Sequence, residues 1–256
     1  MSRELNYGNW IRKKTLWRLG LSALVLGVIA LLPIQPVIRV VTGILCIFML
    51  VSLAFPLYAY YRFSPLGGNL QERVYSLIVR ILGDQGRGSI LDIGTGNGVL
   101  AIRLALHNPR SRVTAVDYWG KEWEYAMRVC ESNARIADVA SSIEFVKGDA
   151  AALDFPDASF DAVVSNLTFH EVRSVQDKRE VVREALRVLK ADGSFVFIDY
   201  FYAGRHYGPT PELEAFLHGL GLQQVTLQPL GDIMEVPLML RHPRALGKVG
   251  FLSGRK

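Results

Sequence analysis

The 256-residue sequence predicts an α/β fold, a mostly parallel sheet with helices on both faces, set behind two long apolar helices. Three observations lead there. Two apolar runs without charge lie within the first 61 residues. Short β-rich runs then alternate with stretches whose apolar residues recur at helical spacing. The first β-rich run breaks into a glycine turn, "ILDIGTGNG", from Ile90 to Gly98.

The first apolar run is Leu19 to Leu32, behind Arg12, Lys13, Lys14 and Arg18. "PIQP", Pro33 to Pro36, separates it from a second run, Val40 to Tyr61. A helix crossing the hydrocarbon core needs about 17–25 residues. The second run meets that. The first reaches it with Leu16, Trp17 and a snorkelling Arg18. Trp10, Trp17, Tyr58, Tyr60 and Tyr61 stand at the edges, where interfacial aromatics belong. The expected organisation is a basic N-terminus (1–15), a transmembrane hairpin (16–61, with spans about 16–32 and 37–61), a linker (62–69) and a domain (70–256). Five basic residues precede the first span and Arg62 follows the second, while the turn offers only Arg39. The positive-inside rule then places both termini and the domain on the cytoplasmic side. A signal peptide shares the basic start, but a second full apolar run follows at once. A hairpin dipping into one leaflet leaves the domain on the same side.

"RFSPLGGN", Arg62 to Asn69, has linker chemistry. Leu70 to Leu82 is expected as a helix with Val74, Leu77, Ile78 and Ile81 on one face. A strand is expected over Ser89–Ile93, a helix over Val99–His107, a strand over Val113–Asp117 and a helix over Lys121–Ile136. Strands follow at Ile143–Val146 and Ala162–Ser165, then a helix at Asp177–Leu189 and a strand at Phe195–Asp199. A helix at Pro211–Leu220 and strands at Val225–Leu227 and Val236–Leu240 complete the pattern.

Half of the residues are apolar and the mean hydropathy is +0.21, high for a soluble protein. The net charge of +5 is unevenly placed. Residues 1–69 hold seven Lys/Arg and one acid, whereas residues 70–256 hold 22 Lys/Arg and 23 acids. The globular part therefore lacks the basic balance of a nucleic-acid reader. Cys46 and Cys130 are too few for a disulfide framework and read as inert buried thiols. No His/Cys cluster has metal-ligand spacing.

In an open parallel sheet, ligands bind beyond the carboxyl ends of the strands. After the first strand stand Gly94, Gly96 and Gly98, which allow close backbone approach. The second strand ends in Asp117, which could accept ribose hydroxyls, and the third in Asp149, which could accept an exocyclic amine. The fourth leads into "SNLTFHEV", Ser165 to Val172. A dinucleotide fold shares the first two features. Its glycine spacing differs, however, and Asp92 would repel a pyrophosphate while suiting an ammonium or sulfonium group.

With these residues in hand, 70–256 resembles a class I S-adenosylmethionine-dependent methyltransferase of the small-molecule branch. "ILDIGTGNG", "VTAVDYW" (Val113–Trp119), "VKGDAAALDFPDASFDAVVSNLTFHEV" (Val146–Val172) and "ALRVLKADGSFVFID" (Ala185–Asp199) resemble that family's motifs in order. The last block carries Ala191-Asp192-Gly193 where Pro-Gly-Gly is usual. The resemblance covers none of 1–69. It implies a Rossmann-like seven-stranded sheet with the last strand antiparallel, and S-adenosylmethionine as cofactor with S-adenosylhomocysteine as product. It also implies roles. Asp92 and the Gly94-Thr95-Gly96 backbone, with Gly98, line the methionine end. Asp117 binds the ribose, Tyr118 or Trp119 covers adenine, Asp149 and the Ala150 N–H meet the adenine edge, and Asn166 backs the methionine. His170 and Glu171 are catalytic candidates, His170 as a general base. Tyr200 and Tyr202 are weaker candidates or pocket walls.

The expected function is methyl transfer at the cytoplasmic membrane face to a small acceptor that the membrane concentrates, of quinone, isoprenoid or lipid type. Arg241 to Lys256, with five Lys/Arg, His242 and no acid, could rest on anionic headgroups. Expected partners are the bilayer and a small-molecule or lipid acceptor, with no nucleic acid, and the hairpin could pair with a second copy. In the competing readings the hairpin only anchors an enzyme for a water-soluble acceptor or a membrane protein, or the domain binds S-adenosylmethionine without catalysis.

Overall fold

A computed structural model describes residues 5–120 and 126–256. The chain divides into two compact units, Gly8–Arg73 and a second built from Met1–Tyr7 with Val74–Lys256.

In the first unit, α1 (Lys13–Leu31) and α2 (Pro36–Phe63) are joined by a short turn. Pro36 starts α2 at a position where its missing N–H costs nothing. Small residues bring the helices together. A Cβ on Gly27 would lie 3.4 Å from Cys46 Sγ, one on Gly43 3.9 Å from the Ala30 Cβ, and one on Gly20 3.9 Å from Leu53. Small residues at a helix seam let the two backbones approach closely. The Cys46 thiol donates to the Ala23 carbonyl at 3.2 Å. Both helices are long and apolar enough to cross a membrane, and only 6% of each apolar window is buried within the chain. Trp10 packs edge-on against Phe63 at 5.1 Å, and the Asn9 amide donates to the Tyr60 carbonyl.

α3 (Leu70–Leu82) leads into the second unit. Its buried stripe is Leu70, Val74, Leu77, Ile78 and Leu82. Ile81, expected on that face, is exposed, because the stripe runs in steps of four through Val74, Ile78 and Leu82. The order is then β1 (Ser89–Ile93), α4 (Val99–His107), β2 (Arg112–Asp117), α5 (Met127–Ile136), β3 (Ile143–Lys147), β4 (Phe160–Asn166), α6 (Arg179–Arg187) and β5 (Leu189–Asp199). The short α7 (Gly204–Tyr207), α8 (Thr210–Gly219), β6 (Gln223–Pro229), the short α9 (Leu230–Ile233) and β7 (Gly250–Arg255) follow. The expected start of the fifth helix at Lys121 lies outside the described residues, which carry that helix from Met127.

The seven strands form one sheet in the order β3-β2-β1-β4-β5-β7-β6. β1 to β5 pair in parallel, and β7 runs antiparallel to both neighbours, as the resemblance implies. Two expectations need correction. The sixth helix ends at Arg187 rather than Leu189, because Leu189 already pairs with Phe160 of β4. Val236–Leu240 is not a strand. Pro237 lacks an N–H for a ladder, and Leu238–Arg241 form a 3-10 turn. The seventh strand is Gly250–Arg255.

The core fills both faces of the sheet. Leu91, Ile93, Val163, Phe195 and Phe197 meet Val181, Val182, Ala185 and Leu186 of α6. Arg187 at the end of α6 clamps the loop after β3. It donates to the carbonyls of Leu153 and Phe155 and pairs with Glu184 and Asp157. Glu184 in turn accepts from the Leu153 N–H at 2.7 Å. Arg187→Ala is expected to cost about 1–3 kcal/mol, read as a lower thermal midpoint in detergent.

Candidate active site

β1 and β2 deliver the cofactor side of the site at their carboxyl ends. Gly94, Gly96 and Gly98 all adopt positive φ, at 78°, 59° and 81°. That is costly for any residue with a Cβ. At Gly94 space forbids one as well, since a Cβ would lie 1.9 Å from Thr168 Oγ1. The Gly94 and Thr95 N–H groups donate to the Val116 carbonyl, which folds the loop over the end of β2. Asp117 holds the loop from below. Its carboxylate accepts from the Gly96 N–H at 2.9 Å and the Trp119 N–H at 2.8 Å. The Gly96 carbonyl accepts from the Trp119 indole and the Cys130 thiol. Burial first, and then the Asp117 charge, push that thiol up to about 12, so it is inert at neutral pH.

Asp92 is 1% exposed at the heart of this loop. Burial, with the Asp117 charge adding, pushes its carboxyl up to about 7. Burial likewise raises the Asp117 carboxyl above the usual range. Three buried side-chain oxygens here have no hydrogen-bond partner: Asp92 Oδ2, Asn97 Oδ1 and Asn166 Oδ1. Orphaned buried oxygens are costly, and so many at one loop fit a polar, cationic ligand held by acceptors. S-adenosylmethionine is such a ligand. Asp149, after β3, is half-buried and accepts the Ala151 N–H at 2.9 Å with one oxygen, and Ala150 is buried behind it. Tyr118 is 65% exposed and lies under the Lys147 ammonium at 5.6 Å. Trp119 folds back onto the glycine loop, at a positive φ of 43°.

β4 and β5 deliver the other side. Leu167 takes a φ of 53°, strained for a branched side chain, and donates its N–H to the Ile198 carbonyl. This turn aims Thr168 at Gly94, where its hydroxyl meets the carbonyl at 3.4 Å. Two residues on, His170 Nδ1 sits 2.8 Å from Asp199 Oδ1, and the His170 N–H donates to Asp199 Oδ2 at 3.2 Å. Glu171 Oε1 stands 3.6 Å from Nε2. Burial would lower the His170 pKa, but the charge and hydrogen bond of Asp199, helped by Glu171, raise it above its ordinary value. The Tyr200 ring packs edge-on at 4.6 Å and the His206 ring at 5.8 Å. Burial raises the Tyr200 and Tyr202 phenols. The nearly buried Lys178 ammonium ties down the Val172 and Val175 carbonyls, and the Lys178 N–H donates to the His206 carbonyl. The loop carrying His170 is thereby bound to α7.

The glycine loop, Asp117 and Trp119 thus form one group, and His170, Glu171 and Tyr200 a second, joined through Thr168 and Gly94. Asp199, 1% exposed, was missed by the sequence reading. Its signal was present, since an acid stands at the carboxyl end of β5 as Asp117 stands at that of β2.

Residues 91–197 match a family model described as a methyltransferase domain. The chain is 35% identical over 131 residues to the 27-O-demethylrifamycin SV methyltransferase of Amycolatopsis mediterranei, covering 51% of this chain and 44% of that protein. It is 34% identical over 129 residues to the demethylmenaquinone methyltransferase of Thermotoga maritima, covering 50% and 49%. It is 31% identical over 136 residues to a ubiquinone/menaquinone biosynthesis C-methyltransferase of Pseudomonas fluorescens, covering 53% and 50%. The chain spans about half the length of these curated relatives or less. Among solved structures, a putative O-methyltransferase from Nostoc punctiforme shares the fold with a TM-score of 0.55 at 18% identity, covering 78% of this chain and 60% of that one. The [4+2]-cyclase SpnF does so equally, with a TM-score of 0.55 at 18% identity over 72% and 81%. A shared fold alone therefore does not fix the reaction. The family match lies on the strands that build the glycine loop and the His170 turn, and on that ground residues 91–197 are a methyltransferase domain on a Rossmann-like sheet, with S-adenosylmethionine as methyl donor.

Proposed function

We propose that the whole chain is a membrane-anchored methyltransferase that methylates a small, lipid-soluble acceptor of quinone, isoprenoid or lipid type at the cytoplasmic face. One observation carries the membrane part. The chain leaves the catalytic unit after Tyr7, forms two apolar helices left largely uncovered, and rejoins that unit at Val74. A core helix of a soluble protein would be buried. An even number of crossings also leaves both flanks on one side, in keeping with the basic residues outside the spans. A membrane anchor raises the local concentration of an acceptor dissolved in the same bilayer. Two of the relatives are named for quinone methylation, which suits such an acceptor.

In this reading Asp92 and the Gly94–Gly98 loop hold the methionine end of the cofactor, with Asn166 behind it. Asp117 takes the ribose hydroxyls, Tyr118 or Trp119 lies on the adenine face, and Asp149 with the Ala150 N–H takes its edge. S-adenosylmethionine, when bound, supplies a methyl group already activated by a sulfonium centre. Asp199 keeps the His170 proton on Nδ1 and leaves Nε2 free to take a proton from the acceptor. Glu171 stands by the same nitrogen and would steady the imidazolium. Tyr200 walls the ring.

The test is the full chain in nanodiscs with S-adenosylmethionine and either the solvent-extracted lipid fraction or the aqueous fraction of cell membranes. S-adenosylhomocysteine is expected with the lipid fraction. Formation with the aqueous fraction alone would favour an anchor serving a water-soluble acceptor. No formation with either would favour a binding module.

A further inference from the structure

We propose that the loop between β6 and β7 is a second membrane contact, a knuckle that lays Leu238 and Met239 into an anionic lipid surface. The inference rests on the reading of the hairpin as membrane-embedded, and it adds a contact made by the catalytic unit itself.

Leu238 is 83% exposed and Met239 55%. Among the described residues of the catalytic unit, no other large apolar side chain is as exposed as Leu238. The exposure is built in. Val236, Leu240, Leu246 and Val249 are buried and fix the loop to the domain. The Leu246 N–H donates to the Leu240 carbonyl at 2.9 Å, and the Gly247 N–H to the His242 carbonyl at 3.1 Å. Arg241 Nε ties back to the Val236 carbonyl at 2.9 Å. The closure is so tight that a Cβ on Gly247 would lie 1.9 Å from the Arg241 carbonyl oxygen. A loop closed this firmly holds its apolar tip outward rather than letting it fold in.

Charge names the occupant. Arg241, His242, Arg244 and Lys248 are exposed beside the tip, and no acid occurs from Val236 to the end of the chain. Asp232 and Glu235 lie before it. An apolar tip with a cationic collar fits acyl chains below and anionic headgroups around it. A protein partner would need an acidic rim and an apolar socket of its own, whereas an anionic bilayer offers both.

Position gives the contact a use. Gly250 pairs with Asp199, so the knuckle stands at the carboxyl edge of the sheet, beside the Asp199–His170 pair. The Lys248 carbonyl accepts from the Tyr202 N–H at 3.1 Å, which links the knuckle to the loop that follows β5. Seating the knuckle on lipid would turn the acceptor side of the site toward the membrane.

The experiment uses the full chain in nanodiscs of neutral or anionic lipid, labelled with an environment-sensitive fluorophore on cysteine. Native Cys46 reports on α2, while Cys130 is fully buried and silent. Leu238→Cys, in a Cys46→Ser background, reports on the knuckle. Leu106→Cys, in the same background and 54% exposed on α4, is the control. The Leu238 label is expected to shift to blue emission and gain intensity several-fold in anionic discs, while the Leu106 label stays water-like. Arg241→Glu with Arg244→Glu should remove the gain. A water-like Leu238 label beside a lipid-like Cys46 label overturns the knuckle and leaves the hairpin standing. A Cys46 label that is itself water-like overturns the hairpin and the knuckle together.

Discussion

His170→Ala is expected to lower kcat by about 10²- to 10⁴-fold while S-adenosylmethionine affinity stays within a few-fold. The ring lies on the β4–β5 side, bonded to Asp199, and Thr168, two residues before it, links that side to the Gly94 carbonyl. A loss in kcat alone therefore separates proton transfer from cofactor binding. The pH profile adds a second reading. The base must be neutral, and Asp199 holds the His170 pKa above its ordinary value. Activity should rise with pH through an apparent pKa above about 6.5. Asp199→Asn removes the charge that raises it, so the limb should move to lower pH and the rate should fall. A limb that does not move would mean that Asp199 only packs. An unchanged kcat in His170→Ala would mean an acceptor that needs no base, with positioning alone supplying the rate.

Asp92→Asn should separate stability from function in the opposite direction. Burial lifts this carboxyl from 3.8 to about 7. A carboxyl with a raised folded pKa withdraws stability as pH climbs past its unfolded value, and the loss is complete above the folded one. The span corresponds to roughly 4 kcal/mol at pH 8. Asn carries no charge to desolvate. The variant should have a higher thermal midpoint than the parent at pH 8 and lose that advantage near pH 4. The same change removes the charge that suits an ammonium or sulfonium group, so S-adenosylmethionine binding by calorimetry should weaken at least about tenfold. A midpoint at pH 8 that falls instead would mean that the ionised carboxylate is already well paired in the free protein. This trade is the one expected where a site stores strain for its ligand.

The sequence made the first half of the domain readable because its local rules agree. Ser89–Ile93 is a buried parallel strand, so Ile90, Leu91 and Ile93 are apolar on both faces around the one acid, Asp92, and the glycines after it have no alternative at positive φ. The last strand was unreadable for the opposite reason. Gly250 and Gly254 have poor strand propensity, yet the space beside them is tight. A Cβ on Gly250 would lie 2.9 Å from the Tyr202 ring, and one on Gly254 3.0 Å from the Phe195 ring. The greasier "VPLML" nearby took its place in the pattern, although its Leu238 and Met239 face outward. Periodicity reports burial, and it misleads where apolar residues are exposed for another purpose. Asp199 escaped for a related reason. Its place at the carboxyl end of a strand marks it as Asp117 is marked, but its partner does not show locally, since only the parallel register of β4 with β5 brings it to His170.

The central claim is methyl transfer from S-adenosylmethionine to an acceptor drawn from the membrane. The most direct test incubates the full chain, in washed membranes of its host, with methyl-labelled S-adenosylmethionine, and follows the label by mass spectrometry. The account predicts label in a solvent-extractable small molecule, in step with S-adenosylhomocysteine and lost in His170→Ala. Label confined to protein or to the aqueous phase, or none transferred at all, would contradict it.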